Sequence, residues 1–349
     1  MQQICYTIMP CQRLNDLIDR RCWFIGSVTL SYFNKHGIDD IIIVDSFKNN
    51  IEKWKNLTGK KFVDLYSREK IFDILSNTPN IDFIIHLGAC TDTTNYDLNF
   101  LLENNFNFSK ILCNYATENG IPFIYASSAA TYGLGEEGFV DSLNDIYKLK
   151  PVNPYGFSKQ LFDLWFIKNS QKPIKWAALK FFNVYGPNEY HKGNMASMVY
   201  QMFTQLKRNG VIKLFKSNCK SIADGEQKRD FIYVEDIAEI IFHIFQSGIS
   251  NDLYNVGTGE AHSFNELAEL VIAFSGITGK IEYIDMPDSI KECYQNYTAA
   301  HIKKILSKKV VNKFTPLVDG VEKYIKNYLQ DGITYCLILL KYYLKSLNC

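Results

Sequence analysis

The chain has 349 residues, a formal net charge of +1 and 38 Lys+Arg against 37 Asp+Glu, a balance that argues against a nucleic-acid surface as its main business. Its length points to one large α/β domain with a smaller partner. Nine cysteines are scattered with no Cys-x-x-Cys pair, which gives no metal-ligand set and fits reduced thiols, buried as small apolar residues, in a cytoplasmic protein.

Residues 1–10 lack a basic region followed by an apolar core and a small-residue cleavage site, so no signal peptide is expected. Near the end, Ile333 to Leu340 is an apolar run without charge, far short of the roughly 20 residues that a membrane helix needs. A soluble chain is expected, with no repeat and no low-complexity segment.

From Phe24 to Asp45 the pattern is helix then strand. Phe24 opens an amphipathic stretch through Lys35, Gly37 ends it, and Ile41 to Val44 is a β-branched run closed by Asp45. Such a run predicts a parallel strand buried on both faces. An acid at that strand's end, about 20 residues after a glycine turn, is where a dinucleotide fold meets the adenosine ribose; the plainer alternative is a strand-ending Asp. Ile81 to Leu87 is the next strand and runs into Gly88, Ala89 and Cys90, small residues that let a backbone approach a ligand closely. Asn99 to Asn119 is helical in period and ends at Gly120, and Ile121 to Ala126 is another strand before the Ser127-Ser128 loop. A helix carrying Tyr155 runs to about Lys168, and Ile174 to Phe182 is a further strand. This alternation predicts a doubly wound parallel sheet with right-handed crossovers. Beyond Pro187 come a polar loop at 189–194, a helix over 195–208, a polar connection at 216–228, a helix after Asp236, a returning strand at Leu253 and a short strand at Ile281 to Ile284.

Tyr155 and Lys159 stand four apart on their helix and share a face. A phenol titrates at about pH 10, and a fixed cation beside it favours the phenolate, bringing it toward a range useful for moving a hydroxyl proton. Ser128, at the end of the apolar run from Phe123, can hydrogen-bond the same substrate oxygen. Together they describe an acid/base site for oxidising an alcohol.

The order of motifs carries a resemblance. Ser127-Ser128, Tyr155-x-x-x-Lys159, Asn183-Val-Tyr-Gly-Pro187, Arg229-Asp-Phe-Ile-Tyr-Val-Glu-Asp236 and Asn255-Val-Gly-Thr-Gly259 together resemble the extended short-chain dehydrogenase/reductase class of sugar-nucleotide epimerases and dehydratases. The stretches 86–94, 125–133, 183–197 and 213–215 are similar to the branch of that class that acts on an ADP-heptose. The likeness runs from about Phe24 to Gln330. It implies a Rossmann-type sheet over residues 1–186 and 231–259, with a smaller C-terminal substrate-binding lobe over 187–230 and 260–330. It also implies a homo-oligomer making a lipopolysaccharide precursor in the bacterial cytoplasm.

The chemistry implied is inversion of a sugar carbon: NADP takes a hydride from the alcohol carbon, and the resulting ketone is reduced from its other face. By the resemblance, Tyr155 and Lys192 handle the proton on opposite sides, with Lys159 tuning Tyr155 and holding the nicotinamide ribose. Phe24, Ile25, Asp45, Ser46, Lys53, Arg68, Leu87, Gly88, Ala89, Cys90, Thr91, Asn104 and Val184 fall around the cofactor. Lys53 and Arg68 would serve the extra phosphate of NADP and offset Asp45. Asn183, Asn194, Gln201, Phe215, Lys216, Ser217, Asn218, Arg229 and Tyr294 fall where the class holds the sugar nucleotide, Arg229 as a diphosphate clamp. No metal is implied. A dehydratase is the competing enzyme; Lys192 opposes it, and Ala129-Ala130 supplies no acidic pair beside the serine loop.

The chain departs from the class at its glycine-rich turn. Arg20 and Trp23 stand where the first two glycines should be and Gly26 alone matches; a Trp side chain there would occupy the space of the pyrophosphate. Residues 12–19 are too polar for a buried central strand, and residues 1–22 and 331–349 match nothing in the class. These departures predict weak cofactor binding, or an inactive relative that keeps the fold.

Overall fold

Seven parallel strands form the central sheet of the structure, a computed structural model that describes residues 15–19, 23–46, 52–77, 81–247, 251–311 and 313–332. In chain order its first part is β1 (Asn15–Asp19), α1 (Trp23–Lys35), β2 (Ile41–Asp45), β3 (Asp64–Ser67), α2 (Ile71–Asn77) and β4 (Ile81–His86). A long helical segment follows, α3 (Leu98–Leu101) continuing through a π-helical stretch into α4 (Phe108–Glu118). Then come β5 (Phe123–Ser128), α5 (Pro154–Lys168), β6 (Trp176–Phe181) and β7 (Asn183–Tyr185). The later part holds α6 (Met198–Asn209), β8 (Val211–Phe215), β9 (Lys228–Arg229), β10 (Phe231–Tyr233), α7 (Val234–Ser247), β11 (Asp252–Val256), β12 (His262–Ser263), α8 (Phe264–Ser275) and β13 (Lys280–Ile284).

The strand order β11-β6-β5-β4-β1-β2-β3 reverses direction of growth between β1 and β4. At such a point the loops leaving the carboxyl ends diverge and open a crevice. Both faces of the sheet are covered. Ile41, Ile43, Phe83, Ile85, Ala177 and Leu179 join α1 and α7 in one core, while Ile42, Val44, Ile84, Tyr125 and Ala178 join α4 and α5 in the other. The alternation follows from the pleat, which sends successive side chains to opposite faces.

β1 corrects the expectation that residues 12–19 are too polar for the middle of the sheet. Residues 15–19 pair in parallel with β2 (Ile18 beside Ile43) and with β4 (Ile18 beside Ile85). The reason lies in the backbone. β2 and β4 each present a row of N–H and C=O groups toward the gap, and a strand between them satisfies both rows whatever its side chains. A right-handed crossover through α1 also requires its strand there. Helix α1 is likewise buried on every side over residues 24–31, not amphipathic along its length, because the sheet covers one face and α7 another. Phe33 meets Phe242 edge-on at 5.3 Å and Phe245 at 5.1 Å.

Strand β5 starts and ends two residues later than its sequence pattern predicts, which brings Ser127 and Ser128 into the ladder beside Lys180 and Phe181. β3 and β8 have no run long enough to be read from the sequence. Beside the central sheet stand three two-stranded pairs, β8–β13, β9–β12 and β7–β10. No helix among the described residues is long and apolar enough to cross a membrane. Of the described cysteines Cys113 is buried and Cys293 exposed, so burial as apolar residues does not hold for all of them.

Truncating Phe33 tests the α1–α7 packing. Phe33→Ala is expected to cost about 3–5 kcal/mol of unfolding free energy, read as a lower denaturation midpoint with an unchanged slope in denaturant.

Candidate active site

A cleft of about 790 Å³ runs along the carboxyl ends of the strands, from the first turn of α1 across β2 and β4 to β5 and α5. It gathers Phe24, Ile25, Ser46, Lys53, Arg68, Leu87, Ala89, Cys90, Thr91, Asn104, Ser128, Tyr155, Lys159, Asn183, Val184 and Lys192. Tyr155 and Lys192, 37 residues apart in the chain, therefore face one space. Tyr155 is held by α5, whose start is fixed by Pro154 in the first turn and by Asn153, which accepts the Gly156 N–H. Lys159 follows one turn later on the same face and is 2 % exposed. Such burial fixes where the ammonium points.

Beneath the Ser128 loop lies a buried polar network. The Ser127 hydroxyl donates to Asp163 Oδ2 at 2.7 Å, and Lys180 Nζ sits 3.6 Å from that oxygen, both charged side chains fully buried. Lys180 also donates to Thr131 Oγ1 at 2.7 Å, and Thr131 in turn donates to the Ser128 carbonyl at 2.8 Å. Burial pulls the Lys180 ammonium below its ordinary range, and Asp163 opposes that pull. The loop closes at Gly133, where φ is +61° and an added Cβ would lie 1.8 Å from the Lys150 carbonyl oxygen; only glycine fits this turn.

The second loop, 186–197, carries Lys192. Its ammonium lies 5.3 Å from the Phe24 ring centroid. The neighbouring His191 ring nitrogen Nδ1 is 3.4 Å from Asn56 Nδ2. Burial, then the cations of Lys53 and Lys192, push the His191 pKa down to about 4.

Beyond the end of β2, Lys53 Nζ donates to the Ser46 carbonyl at 3.2 Å. Arg68 donates to Asn104 Oδ1 at 2.5 Å and stacks 4.2 Å over the Phe108 ring. Asp45 is fully buried and accepts the Ser46 N–H at 2.6 Å, so Ser46 forms the wall at the end of β2. Gly88 lies between two lining residues. These groups fit a nicotinamide dinucleotide: small residues at the strand ends, the cations Lys53 and Arg68 in the cleft wall, and a Tyr–Lys pair lining the same cleft. Arg20 lies outside the described residues, and Trp23 is the first residue of α1.

Other expected substrate residues lie elsewhere. Gln201 donates to the carbonyls of Asn194 and Ala196, holding the far end of the Lys192 loop. Arg229 is 7 % exposed and sits between the rings of Tyr294 at 5.1 Å and Phe264 at 5.4 Å, with Phe215 against Tyr294. This aromatic box is two residues along the chain from Phe231, which lines the cleft. Lys216 pairs with Asp285, Ser217 N–H donates to Asp224, and Asn218 donates to the Lys291 carbonyl. In the motif after Arg229, Asp230 is a structural hub whose carboxylate accepts from Thr258, Gly259 and Ala300.

Sequence reasoning missed Asp163, Lys180, Asn188, Glu189 and His191. A lysine inside the otherwise apolar strand Trp176–Phe181 was the available sign of a buried partner; Glu189 and His191 carried none.

The model of the NAD dependent epimerase/dehydratase family matches residues 24–257. An ADP-L-glycero-D-manno-heptose-6-epimerase of Nitratidesulfovibrio vulgaris is 44% identical over 309 residues, 88% of this chain and 95% of that protein. One of Fusobacterium nucleatum is 40% identical over 322 residues, 89% and 97%. The crystal structure of the Helicobacter pylori ADP-L-glycero-D-manno-heptose-6-epimerase superposes with a TM-score of 0.74 at 26% identity, over 90% of this chain and 96% of that one.

Two predictions follow from the site's electrostatics. His191 holds its proton less well folded, about 4 against an ordinary 6.5. The unfolded chain therefore binds more protons between those values, and stability is lost as pH falls through that window, by up to about 3 kcal/mol. Denaturation midpoints at several pH values should show this fall, and His191→Gln should flatten it. Lys180→Met strands the buried Asp163 charge and should cost about 3–5 kcal/mol, while Asp163→Leu/Lys180→Met should cost less than the single change; chemical denaturation of both variants checks the order.

Proposed function

This chain belongs to the NAD dependent epimerase/dehydratase family, and from that premise we propose that it inverts C6″ of ADP-D-glycero-D-manno-heptose to give the L-glycero epimer, the activity for which its relatives are named. The observation that carries the reading is the meeting of Tyr155, Lys159, Ser128 and Lys192 in one cleft. Inversion at one carbon needs a proton acceptor on each side of it, and a dehydratase does not need Lys192.

The cofactor of the family is a nicotinamide dinucleotide, and its ring, when bound, takes a hydride from an alcohol carbon and returns it. Everything else falls to the chain's own side chains. The Tyr155 phenolate takes the hydroxyl proton of one epimer, and Lys192, in its neutral amine form, takes that of the other. Lys159, buried one turn from Tyr155, supplies positive charge that favours the phenolate, and Ser128 orients the substrate oxygen. We assign NADP over NAD because Lys53 and Arg68 line the cleft beside Ser46 while the Asp45 carboxylate is turned into the protein.

Residues 1–186 and 231–259 make the dinucleotide-binding part in this reading, and 187–230 with 260–330 the substrate lobe, where the Arg229 box holds the nucleotide diphosphate. The product is a precursor for lipopolysaccharide heptose, made in the cytoplasm by a homo-oligomer. The central position of β1 and the identity over most of the chain favour an active enzyme over a cofactor-impaired relative.

The test is turnover of ADP-D-glycero-D-manno-heptose by the purified chain, followed by chromatographic separation of the two epimers. Tyr155→Phe and Lys192→Ala should each lower kcat by about 10²–10⁴-fold with unchanged thermal midpoints. Titration with NADP should give saturable binding. An unaltered substrate with the wild-type chain would end the proposal.

A further inference from the structure

The loop that carries Lys192 is closed on itself by one carboxylate. Glu189 is fully buried. Its Oε2 accepts the Ser197 N–H, and its Oε1 accepts the Ser197 hydroxyl at 2.6 Å and the Gly186 N–H at 3.3 Å. One side chain thus pins both ends of the 186–197 segment together, and the Lys192 N–H donates to the Glu189 carbonyl at 2.9 Å. Ser197 also caps α6, so the pin is anchored in a helix.

The preceding residue ties the same loop to the cofactor helix. Asn188 has φ +78°, a left-handed backbone that Asn tolerates better than most side chains. Its Nδ2 donates to Ser27 Oγ at 2.8 Å, its carbonyl accepts Asn56 Nδ2 at 2.8 Å, and Ser27 donates to the Phe24 carbonyl at 3.0 Å. Phe24 is the residue whose ring meets the Lys192 ammonium. The loop and the start of α1 are therefore joined at two points, one a side-chain hydrogen bond from Asn188 to Ser27 and one through the Lys192 amine over Phe24.

We infer that Glu189 is a positioning residue for Lys192: by closing the loop it sets where the second proton-transfer group stands, while leaving Tyr155 untouched. The inference rests on the two-sided inversion proposed above. Its physical basis is the hydrogen-bond count. A carboxylate accepts at both oxygens, whereas an amide of equal size accepts at one and donates at the other. Glu189→Gln therefore leaves one buried loop donor, Ser197 or Gly186, without its acceptor and lets the loop relax. A misplacement of about 1 Å at a reacting group lowers turnover by about 10²-fold.

The effect is one-sided, which separates positioning from general damage. Each epimer is presented alone to the enzyme loaded with oxidised cofactor, and the first formation of reduced nicotinamide is followed by its absorbance. With Glu189→Gln the epimer served by Tyr155 should reduce the cofactor at the wild-type rate. The other should do so about 10²-fold more slowly, and net epimerisation should fall with the slow side at unchanged KM. A second readout needs neither cofactor nor substrate: modification of Lys192 by an amine-reactive ester, quantified by mass spectrometry, should be faster in Glu189→Gln than in the wild-type chain. Ser197→Ala removes one contact only and should show the same asymmetry to a smaller degree, and it decides the matter if Glu189→Gln does not fold. Equal losses with both epimers, or unchanged labelling and unchanged rates, would overturn the inference. Failure of the wild-type chain to turn over either epimer would instead count against the two-sided inversion itself.

Discussion

The pairing of β1 with both β2 and β4 is the constraint on which the rest of the structure depends. Parallel strands leave all their carboxyl ends on one edge, and the sheet's order turns about β1. The first turn of α1, the end of β2, the small residues after β4 and the serine loop after β5 are brought to that edge by the ladder alone. Without a strand in that gap two rows of backbone groups would face each other unsatisfied. Phe24 would then have no fixed relation to Tyr155.

Two loops placed by that ladder are each stiffened by buried polar groups, and in different ways. Under Ser128 the support is ionic: Asp163 and Lys180 are both fully buried, and their hydrogen bonds to Ser127 and Thr131 bracket Ser128. Under Lys192 the support is a single carboxylate with three donors around it, and burial raises its pKa against their pull. Buried polar groups add little net stability but specify one arrangement when fully satisfied. The inversion proposed above requires that of both loops, because an acid/base pair works only at fixed distance from a shared carbon.

Much of the fold was legible in the chain. Ile41 to Val44, the run from Ile121 to Ala126 and the long helical period before Gly120 have patterns that announce a strand or a helix, with β5 displaced by two residues, and alternation of strand with helix points to the class. Tyr155 and Lys159 declared themselves by helical spacing; Lys192 came from the order of motifs, since a loop lysine has no periodic sign. β1 was misjudged because polarity is a side-chain property and the strand is held by its backbone. Arg229 was visible as a charged residue but not as one enclosed by Tyr294 and Phe264, since those rings come from distant segments. Glu189 was invisible for the same reason: its role depends on Gly186 and Ser197 being brought together by a fold that pattern reading does not give.

The central claim is that the hydrogen on the inverted carbon would leave as a hydride to a bound nicotinamide ring and return from that ring to the opposite face of the same carbon, while Tyr155 and Lys192 move only the hydroxyl proton. Turnover of ADP-D-glycero-D-manno-heptose in deuterium oxide, with mass and NMR analysis of the product, tests this most directly. The account predicts an L-glycero product that carries no solvent deuterium at C6″. Deuterium at that carbon would mean that the proton on carbon exchanges with water, and would contradict it.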